Sequence, residues 1–258
     1  MELRILTVGD VVGSAGLAFL GKRLRALKRE KQIDFCIVNG ENASMVGMTA
    51  HQADDIFFAG ADVITLGNHV WNRRDIVPYM EDSPYVLRPA NLSPQLPGRG
   101  WHIYETAKGA VAVVDLVGRC GMDFCPQNPF LLIEQLLPQL ETRCILVEFH
   151  AEATSEKLAM AHLLDGRVSA LYGTHTHVPT ADLEIFPKGM GYVTDLGMTG
   201  PRHSVLGVAP KQSIATFRGD LTSRYEQAPG ACKLEGAIFT LDTQSGKTTA
   251  VERVFLHD

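Results

Sequence analysis

RILTVGD (4–10), DFCIVNGEN (34–42) and DVITLGNH (62–69) share one plan: a β-branched apolar run stops abruptly and a residue able to bind metal follows. AVAVVDL (110–116), CILVEFH (144–150) and VSALYGTHTH (168–177) repeat it, with Asp115 near the end of the first. In an open α/β sheet the carboxyl ends of parallel strands share one edge, and ligand sites form there. As neighbouring strands, these runs would gather Asp10, Glu41, Asn42, Asn68, His69, His150, His175 and His177 in one crevice. Two carboxylates, two carboxamides and four imidazoles suit bound metal far better than a folded core.

The intervening segments read as helices, and strands alternating with helices favour a parallel sheet with right-handed crossovers. After a glycine-containing turn, Gly13 to Gly16, leucines at 17, 20, 24 and 27 predict an amphipathic helix over 17–31. Thr49 or His51 opens a shorter helix that runs through Phe58 and closes at Gly60. Residues 82–100, rich in Pro, Ser and Gly, are expected as a loop or a short edge strand. WHIYET (101–106) and GAVAVVDLVG (109–118) flank a turn at Ala107 and Lys108. Pro138 should interrupt a helix over 129–140, and Gly166 should stop one running from Ser155 to Leu164.

Beyond His177 the pattern changes to strands joined by hairpin turns: LEIFP (183–187), GYVTDLG (191–197), GAIFTLD (236–242) and TAVERVFL (249–256). Residues 198–233, low in periodicity, read as a lid or as a contact between copies in a homo-oligomer. The whole of 1–258 is read as one α/β domain, a central sheet with helices packed on its faces.

Hydrophobic content of 45% and charged content of 21% are ordinary for a globular chain. A net charge of −5 gives no electrostatic reason for stable nucleic-acid binding. A nucleotide substrate is still compatible, because a local metal charge can hold phosphate. No apolar stretch is long enough for a signal peptide or a membrane span. The five scattered cysteines point to a reducing cytoplasm, and the Cys120 and Cys125 pair lacks the second pair of a zinc knuckle.

Taken together, GD (9–10), GEN (40–42), GNH (67–69), FH (149–150) and GTHTH (173–177) resemble, in order and spacing, the calcineurin-like metallophosphoesterase superfamily. More narrowly, through GDVVG, IVNGEN, LGNHVWN, RPAN and FHAEATSEK, the chain is similar over nearly its whole length to the YmdB-like bacterial 2′,3′-cyclic-nucleotide 2′-phosphodiesterases. Val12 stands where the superfamily's Asp-x-His motif has its histidine, and Glu41 replaces the usual bridging aspartate. Both departures fit the narrower family and argue against a generic protein phosphatase.

The resemblance implies a layered sheet flanked by helices, with a dinuclear metal site at the carboxyl ends of the strands. One ion would take Asp10, Glu41, Asn42 and His177; the other Glu41, Asn68, His150 and His175; His69 would be the unligated catalytic acid. It suggests iron, divalent or mixed-valence, with manganese or zinc as alternatives. The substrates it implies are small 2′,3′-cyclic nucleotides opened to 3′-nucleotides, with 3′,5′-cyclic ones poorer. In that chemistry a metal-bridging hydroxide attacks phosphorus, and His69 protonates the leaving ribose oxygen.

Two rivals stand beside this reading. A phosphomonoesterase or nuclease on the same site would need cationic groups for a dianion or a basic track for a polymer. A regulatory metal-binding protein with incidental hydrolysis would close its site with protein ligands, whereas catalytic sites keep an open position. Arg88, Asn91 and Arg119 are open between phosphate or base contact and surface ion pairing. Asp115 reads as structural, His162 as a surface or boundary residue, and His203, in the irregular 198–209 stretch, as open between a plain loop residue and a substrate contact. Gly9, Gly13 and Gly16 miss the dinucleotide-binding spacing, and Asp10 would repel a pyrophosphate at that turn.

Overall fold

The computed structural model describes residues 1–122, 126–221 and 225–258, and in it the strand–helix alternation becomes two stacked sheets with helices outside. Among the described residues, the first sheet holds β1 (Glu2–Val8), β2 (Asp10–Val11), β3 (Phe35–Asn39), β4 (Val63–Thr65) and β5 (Val86–Leu87). It also holds three strands from late in the chain, β12 (Met198–Pro201), β13 (Cys232–Asp242) and β14 (Thr248–His257). Their order is β2-β12-β13-β1-β3-β4-β5, with β14 paired to β13. The second sheet runs β10 (Glu184–Ile185), β11 (Gly191–Val193), β9 (Ala170–Thr174), β8 (Cys144–His150), β7 (Gly109–Val117), β6 (Trp101–Thr106). β1, β3, β4 and β5 are parallel to one another, as are β7, β8, β9 and β11.

Side chains of β1 alternate between two cores, as the pleat requires. Leu3 and Ile5 pack between the sheets with Val113, Leu146 and Tyr172, whereas Leu6 and Val8 pack with Leu20, Leu24 and Ile56 of α1 (Gly13–Glu30) and α2 (Ala50–Ala59). On the far side, Ala112 and Val114 meet Ile133 of α4 (Pro129–Leu136) and Met160 and Leu164 of α5 (Thr154–Leu164). Each fully buried aliphatic side chain contributes about 1.5–3 kcal/mol. One central sheet with helices on both faces is therefore replaced by four layers. An unbroken apolar run reports that both faces are covered but not whether a helix or another sheet covers them.

Local signals account for most element ends. Thr49 and Gln52 form a capping box on α2, and Gly60 ends that helix at φ 118°. Leu136 ends α4, and a 3₁₀ turn over Leu137–Gln139 takes up Pro138. The first helix begins at Gly13 rather than residue 17 and includes Gly16, where a Cβ would lie 2.2 Å from the Thr199 carbonyl oxygen of β12. Strand β12 opens the stretch 198–233 and is buried, so these first residues belong to the core. That stretch also carries α6 (Pro210–Phe217), while α3 (Ile76–Asp82) precedes the loop over 82–100, which contributes the short edge strand β5. Among the described residues, Cys36, Cys120, Cys144 and Cys232 are free thiols; Cys125, the other member of the Cys120 and Cys125 pair, lies outside the described residues. Among the described residues, no helix is long and apolar enough to cross a membrane.

Toward the carboxyl ends of the strands, polar groups replace the apolar layer between the sheets. Asn39 Nδ2 donates to Glu148 Oε1 (2.6 Å), Thr65 Oγ1 donates to Glu148 Oε2, and the Leu66 amide donates to Asp115 Oδ2 (3.1 Å). These bonds pin β3 and β4 to β7 and β8. Asp115 is wholly buried, its Oδ1 has no hydrogen-bond partner among the described residues, and burial together with Glu148 pushes its carboxyl well above the usual range. The folded chain thus retains a proton that the unfolded chain releases above about pH 4, so this group costs stability as pH rises, by up to about 1.4 kcal/mol per pH unit. Asp115→Asn keeps an acceptor for Leu66 and removes that dependence. Urea unfolding should give similar stabilities for the two proteins at pH 4.5 and a more stable variant at pH 8; parallel pH curves would refute the neutral carboxyl.

Candidate metal centre

Five chain segments deliver the donors foreseen from the sequence to the strand-end edge. Glu41 is at the middle and has no solvent exposure. Its Oε1 lies 3.0 Å from Asn42 Nδ2, 3.1 Å from His150 Nε2 and 3.4 Å from His69 Nδ1, and its Oε2 accepts from the His69 amide at 3.1 Å. On one side of it, His150 Nε2 lies 2.9 Å from Asn68 Oδ1 and 3.1 Å from His175 Nδ1. On the other, Asp10 Oδ1 lies 3.4 Å from Asn42 Nδ2 and 3.7 Å from His177 Nε2, which is itself 3.2 Å from Asn42 Nδ2. Asn42 Oδ1 faces His69 Nδ1 at 3.0 Å. Gly67 makes the approach possible, since a Cβ there would sit 2.3 Å from Glu41 Oε2 and 2.5 Å from His150 Nε2.

His175 and His177 separate onto the two sides because of their backbone. Neither is extended: φ is 96° at His175 and 62° at His177. Non-glycine residues held there cost about 1–3 kcal/mol each and persist only when their surroundings over-determine them. Asp10 Oδ2 accepts from the His175 amide (3.2 Å), and His177 Nδ1 lies 3.2 Å from the Leu206 carbonyl oxygen. His150 is oriented from behind, where Thr174 Oγ1 sits 2.9 Å from Nδ1 and itself donates to Glu148 Oε1 at 2.8 Å. Since the threonine hydroxyl has one proton, it accepts from His150 Nδ1–H, so the second imidazolium proton lies on Nε2, toward Glu41 and Asn68, where a cation could take its place.

The charges are arranged to be shared. Burial works to raise Asp10, but the His177 contact and the nearby His150 hold its carboxyl below the usual range. Glu41 is likewise held well below it by His150 and His69 against burial. Against its own burial, His150 is raised to about 9, chiefly by Glu41, while burial and the neighbouring His150 press His175 down to about 4. His177 is raised by Asp10 against burial. Two buried carboxylates therefore rely on imidazolium protons, which cations can replace.

The donor set fits that role. Four donors placed 2.0–2.2 Å from one ion lie roughly 3.4 Å apart, and Glu41, His150 and His175 offer ligand atoms all within 4.8 Å of one another. Asp10, Asn42 and His177 form a second group joined to the first through Glu41.

Several supporting residues were not singled out from the sequence. Glu152 Oε2 lies 3.2 Å from His175 Nε2, and Asn39 Oδ1 accepts from the Glu41 amide at 3.1 Å. The one available signal for Glu152 and Thr174 was their position inside FHAEATSEK and GTHTH. Two phosphate-contact candidates spend their polar groups on backbone. Arg88 is buried and donates to the carbonyl oxygens of Pro89, Ser93, Leu96 and Pro97, bracing its own loop. Asn91 is buried against the backbone of Val117 and Gln127. Arg119, His162 and His203 are exposed, and Asp115 is structural as expected.

Comparison with known proteins finds relatives over nearly the whole chain. The family model described as YmdB-like protein matches residues 6–254. A Bacillus subtilis (strain 168) protein named 2′,3′-cyclic-nucleotide 2′-phosphodiesterase is 41% identical over 261 residues, covering 99% of this chain and 98% of that protein. The crystal structure of a Mycoplasma pneumoniae phosphatase superposes with a TM-score of 0.94 at 33% identity, over 100% of this chain and 94% of the other. A hypothetical protein from Thermus thermophilus, also of known crystal structure, gives 0.93 at 36% identity, over 99% and 100%.

Proposed function

The chain belongs to the YmdB-like protein family, and from that premise we propose that it is a dinuclear metal-dependent phosphodiesterase. Its proposed substrates are 2′,3′-cyclic nucleotides, opened to 3′-nucleotides, with 3′,5′-cyclic nucleotides poorer. The observation that carries this reading is Glu41, a buried carboxylate set between His150 and His175 on one side and Asn42, Asp10 and His177 on the other. One ion would be held by Asp10, Glu41, Asn42 and His177, the second by Glu41, Asn68, His150 and His175. Mixed oxygen and nitrogen donors accept iron, manganese or zinc. When bound, a pair of such ions lowers the pKa of water and neutralises charge growing on phosphoryl oxygens.

The remaining work falls to the chain itself. Asn42 directs Nδ2 toward Asp10, Glu41 and His177 and Oδ1 toward His69. Ligation would exchange the two ends of the amide, so that Oδ1 joins the carboxylates and Nδ2 donates to His69 Nδ1. With its ring held at Nδ1 by Asn42, His69 has Nε2 to offer, and a proton passes from there to the departing O2′ as the P–O2′ bond breaks. The free thiols and the lack of a membrane-spanning helix among the described residues support a cytoplasmic setting as part of the same proposal.

The test is product identification with elemental analysis. Purified protein should contain about two metal ions per chain and convert 2′,3′-cyclic AMP to 3′-AMP. Formation of 2′-AMP would refute the proposed bond cleavage. Faster hydrolysis of p-nitrophenyl phosphate or single-stranded RNA than of the cyclic nucleotide would transfer the site to the monoesterase or nuclease reading.

A further inference from the structure

We infer that the buried Lys157–Asp195 ion pair is a positioning device that presets the His175–His177 loop for metal. The inference rests on the ligand roles proposed for those two histidines. Lys157 projects from α5 and Asp195 follows β11; their side chains are 1% and 0% exposed, with Nζ 2.8 Å from Oδ2. What the pair grips is the backbone on either side of His175. Lys157 Nζ donates to the Thr174 carbonyl oxygen at 2.8 Å, and the Thr176 amide donates to Asp195 Oδ2 at 3.1 Å. The far end of the loop is tied to the same residue: the Thr180 amide donates to the Asp195 carbonyl oxygen (3.1 Å), and the Asp195 amide donates to Thr180 Oγ1 (2.9 Å). The Gly197 amide holds the other carboxylate oxygen, Oδ1, at 2.9 Å.

A buried ion pair is a poor source of net stability, because desolvating two charges offsets most of their attraction. This pair has a different use. A loop forced through positive φ at His175 and His177 cannot satisfy its peptide groups within itself, and a buried peptide group left without a partner is costly. Lys157 and Asp195 supply those partners without using any donor atom of the metal centre. Gly173 fits the same arrangement, since a Cβ there would strike the Thr194 carbonyl oxygen at 1.9 Å and the Lys157 stem at 2.9 Å. Supporting residues that orient metal ligands from outside the ligand sphere typically change metal affinity by about 10–100-fold.

The test compares wild type, Lys157→Met and Asp195→Asn as full-length protein after chelation, by Mn²⁺ titration against a competing chelator and by hydrogen exchange. In metal-free wild type the amides of 174–177 should exchange slowly, and the variants should release them. Mn²⁺ affinity should fall about 10–100-fold in Lys157→Met and less in Asp195→Asn, which keeps an acceptor of the same size. Turnover lost at limiting Mn²⁺ should return at high Mn²⁺, a recovery that general unfolding would not permit. Variants with wild-type affinity would overturn the clamp while leaving the metal ligands standing. Fast exchange of 174–177 in metal-free wild type would overturn it even if neither variant folds. A wild type that takes up no Mn²⁺ would remove the ligand reading, and the clamp with it.

Discussion

Alanine at position 69 should reduce turnover of 2′,3′-cyclic AMP by about 10²–10⁴-fold without changing the metal content of the protein. The two halves of this expectation come from different atoms of His69. Its amide donates to Glu41 Oε2 at 3.1 Å, and alanine retains that bond, so the central carboxylate keeps its orientation. Its ring is a third exposed, unlike the buried His150, and among the described residues only Nδ1 is engaged, with Asn42 Oδ1 and Glu41 Oε1. A ribose oxygen is a poor leaving group unless it is protonated as the bond breaks, whereas p-nitrophenolate leaves unaided. Hydrolysis of bis-p-nitrophenyl phosphate by the variant should therefore fall by less than about tenfold. Equal losses on both substrates would mean that the substitution had damaged the site as a whole, and His69 would no longer be the acid.

Glu41→Gln is expected to have the larger effect: loss of bound metal and a fall in turnover of more than about 10³-fold. Glutamine preserves the volume and one oxygen, so packing against Gly67 and the His69 amide survives. It lacks the charge that faces His150 at 3.1 Å and the second equivalent oxygen through which one side chain could serve two ions. Elemental analysis should find less than about one ion per chain. The same variant makes a prediction about stability without metal. The Glu41 carboxyl is held well below its usual range, by His150 and His69 against burial. Its charge therefore contributes stability that is complete above about pH 4.3 and is lost as pH falls toward the lowered value. Chelated wild type should lose stability on acidification more steeply than chelated Glu41→Gln in urea titrations. A variant retaining two ions and normal turnover would exclude Glu41 as the shared ligand.

Much of this architecture could be read from residue order because each informative run carries two messages. The apolar β-branched residues of 4–8, 35–38 and 144–147 state that a strand is covered on both faces, and Asp10, Glu41 and His150 mark where the cover ends. Parallel pairing then brings those ends together, since strands that run the same way finish at the same edge. A helix start near Thr49 and the break at Pro138 were legible for a simpler reason, because the residues causing them are local. Strand β12 carried no such local mark: MTGP lacks alternation and becomes a strand through pairing with β13 and β2.

By itself, the sequence determined which donors exist, that they terminate strands of an α/β fold, and the family to which the chain belongs. Only the tertiary structure decided that two sheets face each other, because periodicity records burial and not the identity of the covering layer. It also decided that Arg88 and Asn91 spend their polar groups on backbone, and that His175 and His177 part to opposite sides of Glu41. That parting depends on backbone angles that a histidine does not choose for itself. They are imposed by Asp10, Lys157, Asp195 and Leu206, residues distant along the chain whose hydrogen bonds exist only once the layers have packed.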